Sequence, residues 1–210
     1  MIPVTRQPEP KNFDHLVRKP GKRFLRKNPS PTNRNWKNNK YWQAVNGELY
    51  NAYKGICSYS GEWISRPGSV DHFIPKWRNP ELAYEWDNYR LSSPKLNNYK
   101  GDKEGITDPF AIEFGWFVLE FPSCLIKPGL VLSTDEKRMI QYTIDVLKLN
   151  DDDDLVQKRC DILVYYAYGD VSFKFLSERY PFVAAELQRQ GLLETAKDMF
   201  RPRKNTRGDP

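Results

Sequence analysis

Residues 56–102 read ICSYSGEWISRPGSVDHFIPKWRNPELAYEWDNYRLSSPKLNNYKGD. Three polar groups punctuate the stretch: Asp71-His72, then Asp87-Asn88, then Asn97-Asn98-Tyr99-Lys100-Gly101-Asp102. Residues 56–64 mix apolar and small residues around a Ser60-Gly61 turn signal, and 69–75 alternate apolar with polar. Both patterns predict short antiparallel strands. Pro75 stops pairing, because it cannot donate to a ladder. Residues 76–90 read as a loop. Residues 92–100 predict a short helix, with a serine at the cap and Pro94 in the first turn. The order strand, strand, loop, helix places His72 on a rigid strand and Asn97 on a helix facing it. Successive strand residues point to opposite faces. Asp71 and His72 therefore share one cleft only if a bulge or strand end near Pro75 re-aims one of them.

These residue types suit phosphodiester hydrolysis. That reaction needs an in-line nucleophile, charge relief at the phosphate and help for the leaving oxygen. One divalent cation on hard oxygen ligands can supply the last two. A neutral histidine can take the proton from an attacking water.

Working outward, residues 39–54 carry apolar residues at 41, 42, 45, 49, 52 and 53. This predicts a helix with one aromatic face, stopped at Gly55. Residues 1–38 hold six prolines, which break regular structure into short pieces. Phe13, Leu16, Val17, Phe24 and Leu25 would lay this arm on the body in places. His15 has no surrounding motif like that of His72 and reads as a surface or packing residue. Residues 103–131 predict a connector with a hairpin turning at Pro122-Ser123. Helices are expected from Ser133 to about Leu147, with Met139, Ile140, Tyr142, Thr143, Val146 and Leu147 inward, then over 154–168, 171–178 and 181–198. Asp151–Asp154 lacks the glycine and distal glutamate of a calcium loop and reads as a solvated helix start. The tail 201–210 is basic and reads as disordered.

Charge is unevenly spread. Residues 1–40 contain eleven Lys/Arg against two acids, leaving 22 against 25 for the remainder. Such an arm suits a polyanion, since cations gain free energy by releasing counterions from phosphates. A hydrophobic content of 39% excludes a disordered chain. No apolar run reaches membrane-spanning length, and the N-terminus lacks a signal-peptide pattern. Three widely spaced cysteines argue against a disulfide framework. A cytoplasmic protein without a membrane role is expected.

The succession DH, DN, N-x-x-K-G resembles the HNH motif of the ββα-metal (His-Me finger) endonucleases, over less than a quarter of the chain. The resemblance implies an α+β fold: a ββα-metal core at 39–102, preceded by a basic proline-rich arm at 1–38 and followed by a mainly helical region at 103–200. It implies His72 as general base and Asn88 as the residue that tethers the loop orienting it. It implies Asp71 and Asn97 as ligands of Mg²⁺ or Mn²⁺, and Lys100 as a phosphate contact. Arg90, Lys76, Arg23 and Arg26 join Lys100 as expected nucleic-acid contacts. Arg78 and Arg90 could equally be surface residues, and Trp77, Trp86 and Tyr89 read as loop packing before base stacking. Many HNH proteins carry two C-x-x-C zinc knuckles. Here these read Cys57-Ser-Tyr-Ser60 and Ser93-Pro-Lys-Leu96, so no structural zinc is expected, and packing of Tyr59, Trp63 and Leu96 would replace it. The implied activity is metal-dependent nicking or cutting of DNA. The alternatives are an inactive nucleic-acid-binding adaptor and an RNA-cleaving effector. A looser resemblance to HNH proteins of anti-phage systems (retron, Septu or Zorya type) implies a defence role beside a partner such as an ATPase.

Overall fold

The computed structural model describes residues 1–200; the tail expected to be disordered lies outside the described residues. The chain is α+β. A π-helical turn, Asp14–Arg18, runs unbroken into helix α1 (Lys19–Lys27). The prolines do not fragment this segment. Pro20 is the second residue of α1, just after the π-helical turn, and the helix continues through it. Helix α2 (Asn33–Asn38) opens on a capping box between Thr32 and Asn35. The helix expected over 39–54 comes in two pieces, a 3-10 turn at Tyr41–Val45 and helix α3 (Asn46–Ala52). Gly55, at φ +69°, closes α3 by donating to the Tyr50 carbonyl at 2.8 Å.

Strand β1 (Ser69–His72) pairs antiparallel with β2 (Tyr89–Ser92), setting Asp71 opposite Arg90 and His72 opposite Tyr89. Helix α4 (Pro94–Lys100) follows, capped by Ser93 Oγ, which accepts from the Leu96 N–H. The strand expected at 56–64 is absent; one isolated bridge joins Ile56 and Trp63. The Cys57 and Gly61 N–H groups instead close a tight loop onto the Glu62 and Cys57 carbonyls. The true partner strand lies at the end of the expected 76–90 loop. All four residues of β2 are buried, so it shows no alternation to read.

Strands β3 (Phe117–Leu119) and β4 (Ile126–Pro128) form the expected hairpin. Helices α5 (Thr134–Val146), α6 (Asp153–Tyr168), α7 (Phe173–Arg179), α8 (Pro181–Arg189) and α9 (Ala196–Phe200) complete the described chain. In α5 the inward residues are Ile140, Thr143 and Ile144, while Met139 and Tyr142 are partly exposed. No helix among the described residues is long and apolar enough to cross a membrane.

Two cores flank the β1–β2 hairpin. The first gathers Phe13, Val17, Phe24 and Trp36 from the N-terminal segment with Trp42, Leu49, Val70, Tyr84, Tyr89 and Leu91. The second gathers Cys57, Tyr59 and Leu96 with the hydrophobic residues of β3, β4 and α5–α9. Packing thus crosses both the 38/39 and the 102/103 boundaries suggested by composition. Cys57 Sγ lies 3.4 Å from the Ser93 N–H, so the two knuckle-like segments do meet, with Tyr59 and Leu96 beside them. Trp63 is partly exposed and covers none of this. Asp152 is not a solvated helix start: it is buried and binds Lys95 Nζ, the Tyr99 hydroxyl and the Leu155 N–H, clamping α4 to α6.

Candidate functional site

His72 ends β1, with its ring edge-on to Trp42 at 4.7 Å and to Tyr89 at 5.3 Å. Its Nε2 lies 2.9 Å from the Ala83 carbonyl oxygen. A carbonyl only accepts, so Nε2 carries the proton and Nδ1 keeps its lone pair. Nδ1 has no partner among the described residues. Burial first, then the Lys76 and Lys100 cations, push the imidazole pKa down to about 3, against the pull of the Ala83 carbonyl. The ring is therefore neutral at any working pH.

Asn88 fixes the segment that supplies this carbonyl. Its Oδ1 accepts from the Ile74 N–H at 2.8 Å, and its Nδ2 donates to the Ile74 and Leu82 carbonyls at 3.0 and 3.1 Å. The loop is thus pinned at both ends, one residue before Ala83. Tyr89 reinforces it by donating its hydroxyl to the same Ala83 oxygen at 2.9 Å.

Asp71 points to the other face of the hairpin, as pleating requires. Its Oδ2 accepts from the Tyr59 hydroxyl at 2.5 Å and its Oδ1 from Lys100 Nζ at 3.1 Å. Lys100 also donates to the His72 carbonyl at 2.7 Å. The Asp71 carboxyl is raised from its usual range by burial, opposed by Lys100 and Tyr59. Asn97, one helical turn before Lys100, donates to Ser69 Oγ at 2.5 Å and to the Val70 carbonyl at 3.3 Å. Its Oδ1 has no partner among the described residues.

A cleft of about 540 Å³ brings these groups together. Asp71, His72 and Asn97 line it, with Asp102 and the lysines Lys37, Lys40 and Lys76. No bulge re-aims either side chain: Asp71 and His72 leave β1 on opposite faces, and both residues border the cleft at the end of that strand. Asn88 lies behind it as a tether. Lys76, half-buried, holds its ammonium 5.3 Å from the Trp42 ring centre. Arg23 and Arg26 line a separate groove along α1 with Lys19 and Lys22.

Two of the expected nucleic-acid contacts are buried and cannot meet a phosphate. Lys100 is fully enclosed by Asp71 and the His72 carbonyl. Arg90 forks onto Asp108 at 2.9 and 2.7 Å, donates to the Asp87 and Tyr89 carbonyls, and lies 3.5 Å over the Phe110 ring. Both sit at positions where the strand and helix need an internal cation. The sequence reading missed Tyr59, the Ala83 carbonyl, Lys37 and Lys40. The last two carried a signal: residues 19–40 hold eight Lys/Arg and not one acid.

A small hard cation would find one unpartnered amide oxygen, on Asn97, and one carboxylate, on Asp71, whose two oxygens already accept from Tyr59 and Lys100. Among the described residues no three His, Cys, Asp or Glu side chains cluster. No protein-family model matches the chain, and no curated protein matches it.

Proposed function

We propose that the chain is a metal-dependent endonuclease of the HNH (ββα-metal) type acting on DNA. One observation carries the reading: a neutral imidazole, anchored through Nε2 on a pinned loop carbonyl, lines the same basic-rimmed cleft as a buried aspartate and the asparagine of the following helix. His72 Nδ1 is the proton acceptor for an attacking water. Asn88 and Tyr89 hold Ala83, and Ala83 holds the ring. Asp71 and Asn97 would hold the divalent cation, which when bound supplies charge relief at the scissile phosphate and the leaving oxygen. Lys37, Lys40 and Lys76 steer the phosphate backbone into the cleft. An entering phosphate offsets the positive charge of Lys76, which strengthens His72 as a base when substrate is present.

The adaptor reading is favoured by a different observation, the Lys100 ammonium already neutralising Asp71. Plasmid nicking with Mg²⁺ or Mn²⁺, with and without EDTA, separates the two. The nuclease reading expects metal-dependent nicking that falls by about 10²- to 10⁴-fold in His72→Ala. Salt-sensitive binding without nicking supports the adaptor. Total RNA offered in parallel distinguishes an RNA-cleaving effector.

A further inference from the structure

The chain contains six tryptophans. Trp36, Trp42 and Trp86 are buried, Trp63 lies under Arg179, and Trp116 packs against the second core. Trp77 differs from all of them. Its indole is 56% exposed and makes no ring, cation or hydrogen-bond contact among the described residues.

Its setting is rigid. The Arg78 and Asn79 N–H groups both donate to the buried Pro75 carbonyl, at 3.0 and 3.1 Å, closing a turn that holds the indole outward. That turn hangs from Ile74, which Asn88 grips from both sides. Cations flank it. Lys76 lines the cleft, and Arg78 is exposed, with one weak pair to Glu104 at 3.4 Å. A bare indole next in the chain to the cleft-lining Pro75 and Lys76, on a hydrogen-bonded turn and followed by the exposed Arg78, offers a π-face to a base and positive charge to its phosphates.

We infer that Trp77 is a base-stacking platform, and that the strand entering the cleft presents an unpaired nucleobase beside the phosphate held there. In an intact duplex each base face is already stacked on its neighbour. Trp77 can then stack only where a base is unpaired: a single strand, a frayed end or a bulge. This rests on the nucleic-acid reading of the cleft and refines the substrate from DNA in general to strands with unstacked bases. DNA and RNA bases share the π-face, so the sugar is left to the experiment.

Binding is measured by fluorescence anisotropy in EDTA, so that no chemistry intervenes, on the full chain and on Trp77→Ala and Trp77→Phe. The probes are single-stranded DNA, single-stranded RNA of the same sequence, a blunt perfect duplex, and that duplex with one unpaired base. The expected result is a loss of about 5- to 150-fold on the single strands and the bulged duplex in Trp77→Ala. Trp77→Phe should retain most of the affinity, and the perfect duplex should be unchanged. Indole emission should be quenched by single strands more strongly in the wild type than in the variants. Equal affinity of wild type and Trp77→Ala on every probe, or an equal loss on all four, overturns the stacking role. Tight stacking-dependent binding without metal-dependent cleavage leaves this inference standing and removes the nuclease. Cleavage with Trp77→Ala unaltered removes only the stacking.

Discussion

At the scale of single residues, charge inside the molecule decides most of what the cleft can do. Lys100 was legible as part of a closing N-x-x-K-G, yet its burial was not, because nothing in a short polar run announces an internal ion pair. Removing its ammonium leaves Asp71 enclosed without its cation, which typically costs about 3–5 kcal/mol. Urea denaturation of Lys100→Ala should show a loss of that size. Unchanged stability with weaker DNA binding would instead make it a surface phosphate contact. Glu62 has the opposite problem. Burial raises its pKa from the usual 4.5 to about 6, and its Oε1 has no partner. Below pH 4.5 the acid is protonated folded and unfolded alike, so no penalty exists. As pH rises from 4.5 to 6 the unfolded chain ionises first and stability falls, levelling at a deficit of about 2 kcal/mol. Glu62→Gln should therefore be more stable than wild type at pH 7 by up to that amount, and equal to it near pH 4. Thermal melts at the two pH values check this.

At the scale of elements, α4 was readable because caps and prolines are local signals, and its Ser93 and Pro94 stand where expected. Strand β2 was not readable, since burial on both faces erases the two-residue period by which strands are recognised. The strand proposed at 56–64 rested on apolar and small residues around a turn signal, and the turn forms with one bridge, Ile56 to Trp63, in place of a strand. The N-terminal helices were underestimated because proline was counted as a break, and the helix continues through Pro20. One consequence concerns Gly21. A Cβ there would come within 2.2 Å of the Tyr84 ring. Tyr84 neighbours Ala83, whose carbonyl sets the His72 tautomer. Gly21→Ala should push α1 off the loop, lower stability by about 1–3 kcal/mol, and reduce nicking beyond what that loss of folded protein explains. Activity per folded molecule, with the folded fraction read by circular dichroism, tests it. Full activity would mean the loop holds without α1.

At the scale of the whole molecule, the thin β1–β2 hairpin is supported from two sides. His72 faces the aromatic core of the N-terminal segment, and Asp71 faces Tyr59 and the helical side. Composition made residues 1–38 look like an arm lying on the body only in places, because charge and proline dominate it. Its sparse apolar residues nonetheless complete a core. A chain beginning at residue 39 should lose cooperative unfolding, not merely affinity for DNA; a sharp thermal transition in that fragment would restore the arm. The second support has a consequence for biosynthesis. Translation delivers every side chain of the cleft by residue 102, but α4 rests through Leu96 on hydrophobic residues drawn from as far along as Ala196. A growing polypeptide therefore carries the complete set of reactive groups long before it can hold them in place. A hydrolytic activity of the proposed kind would be withheld until the segment around Ala196 has been made.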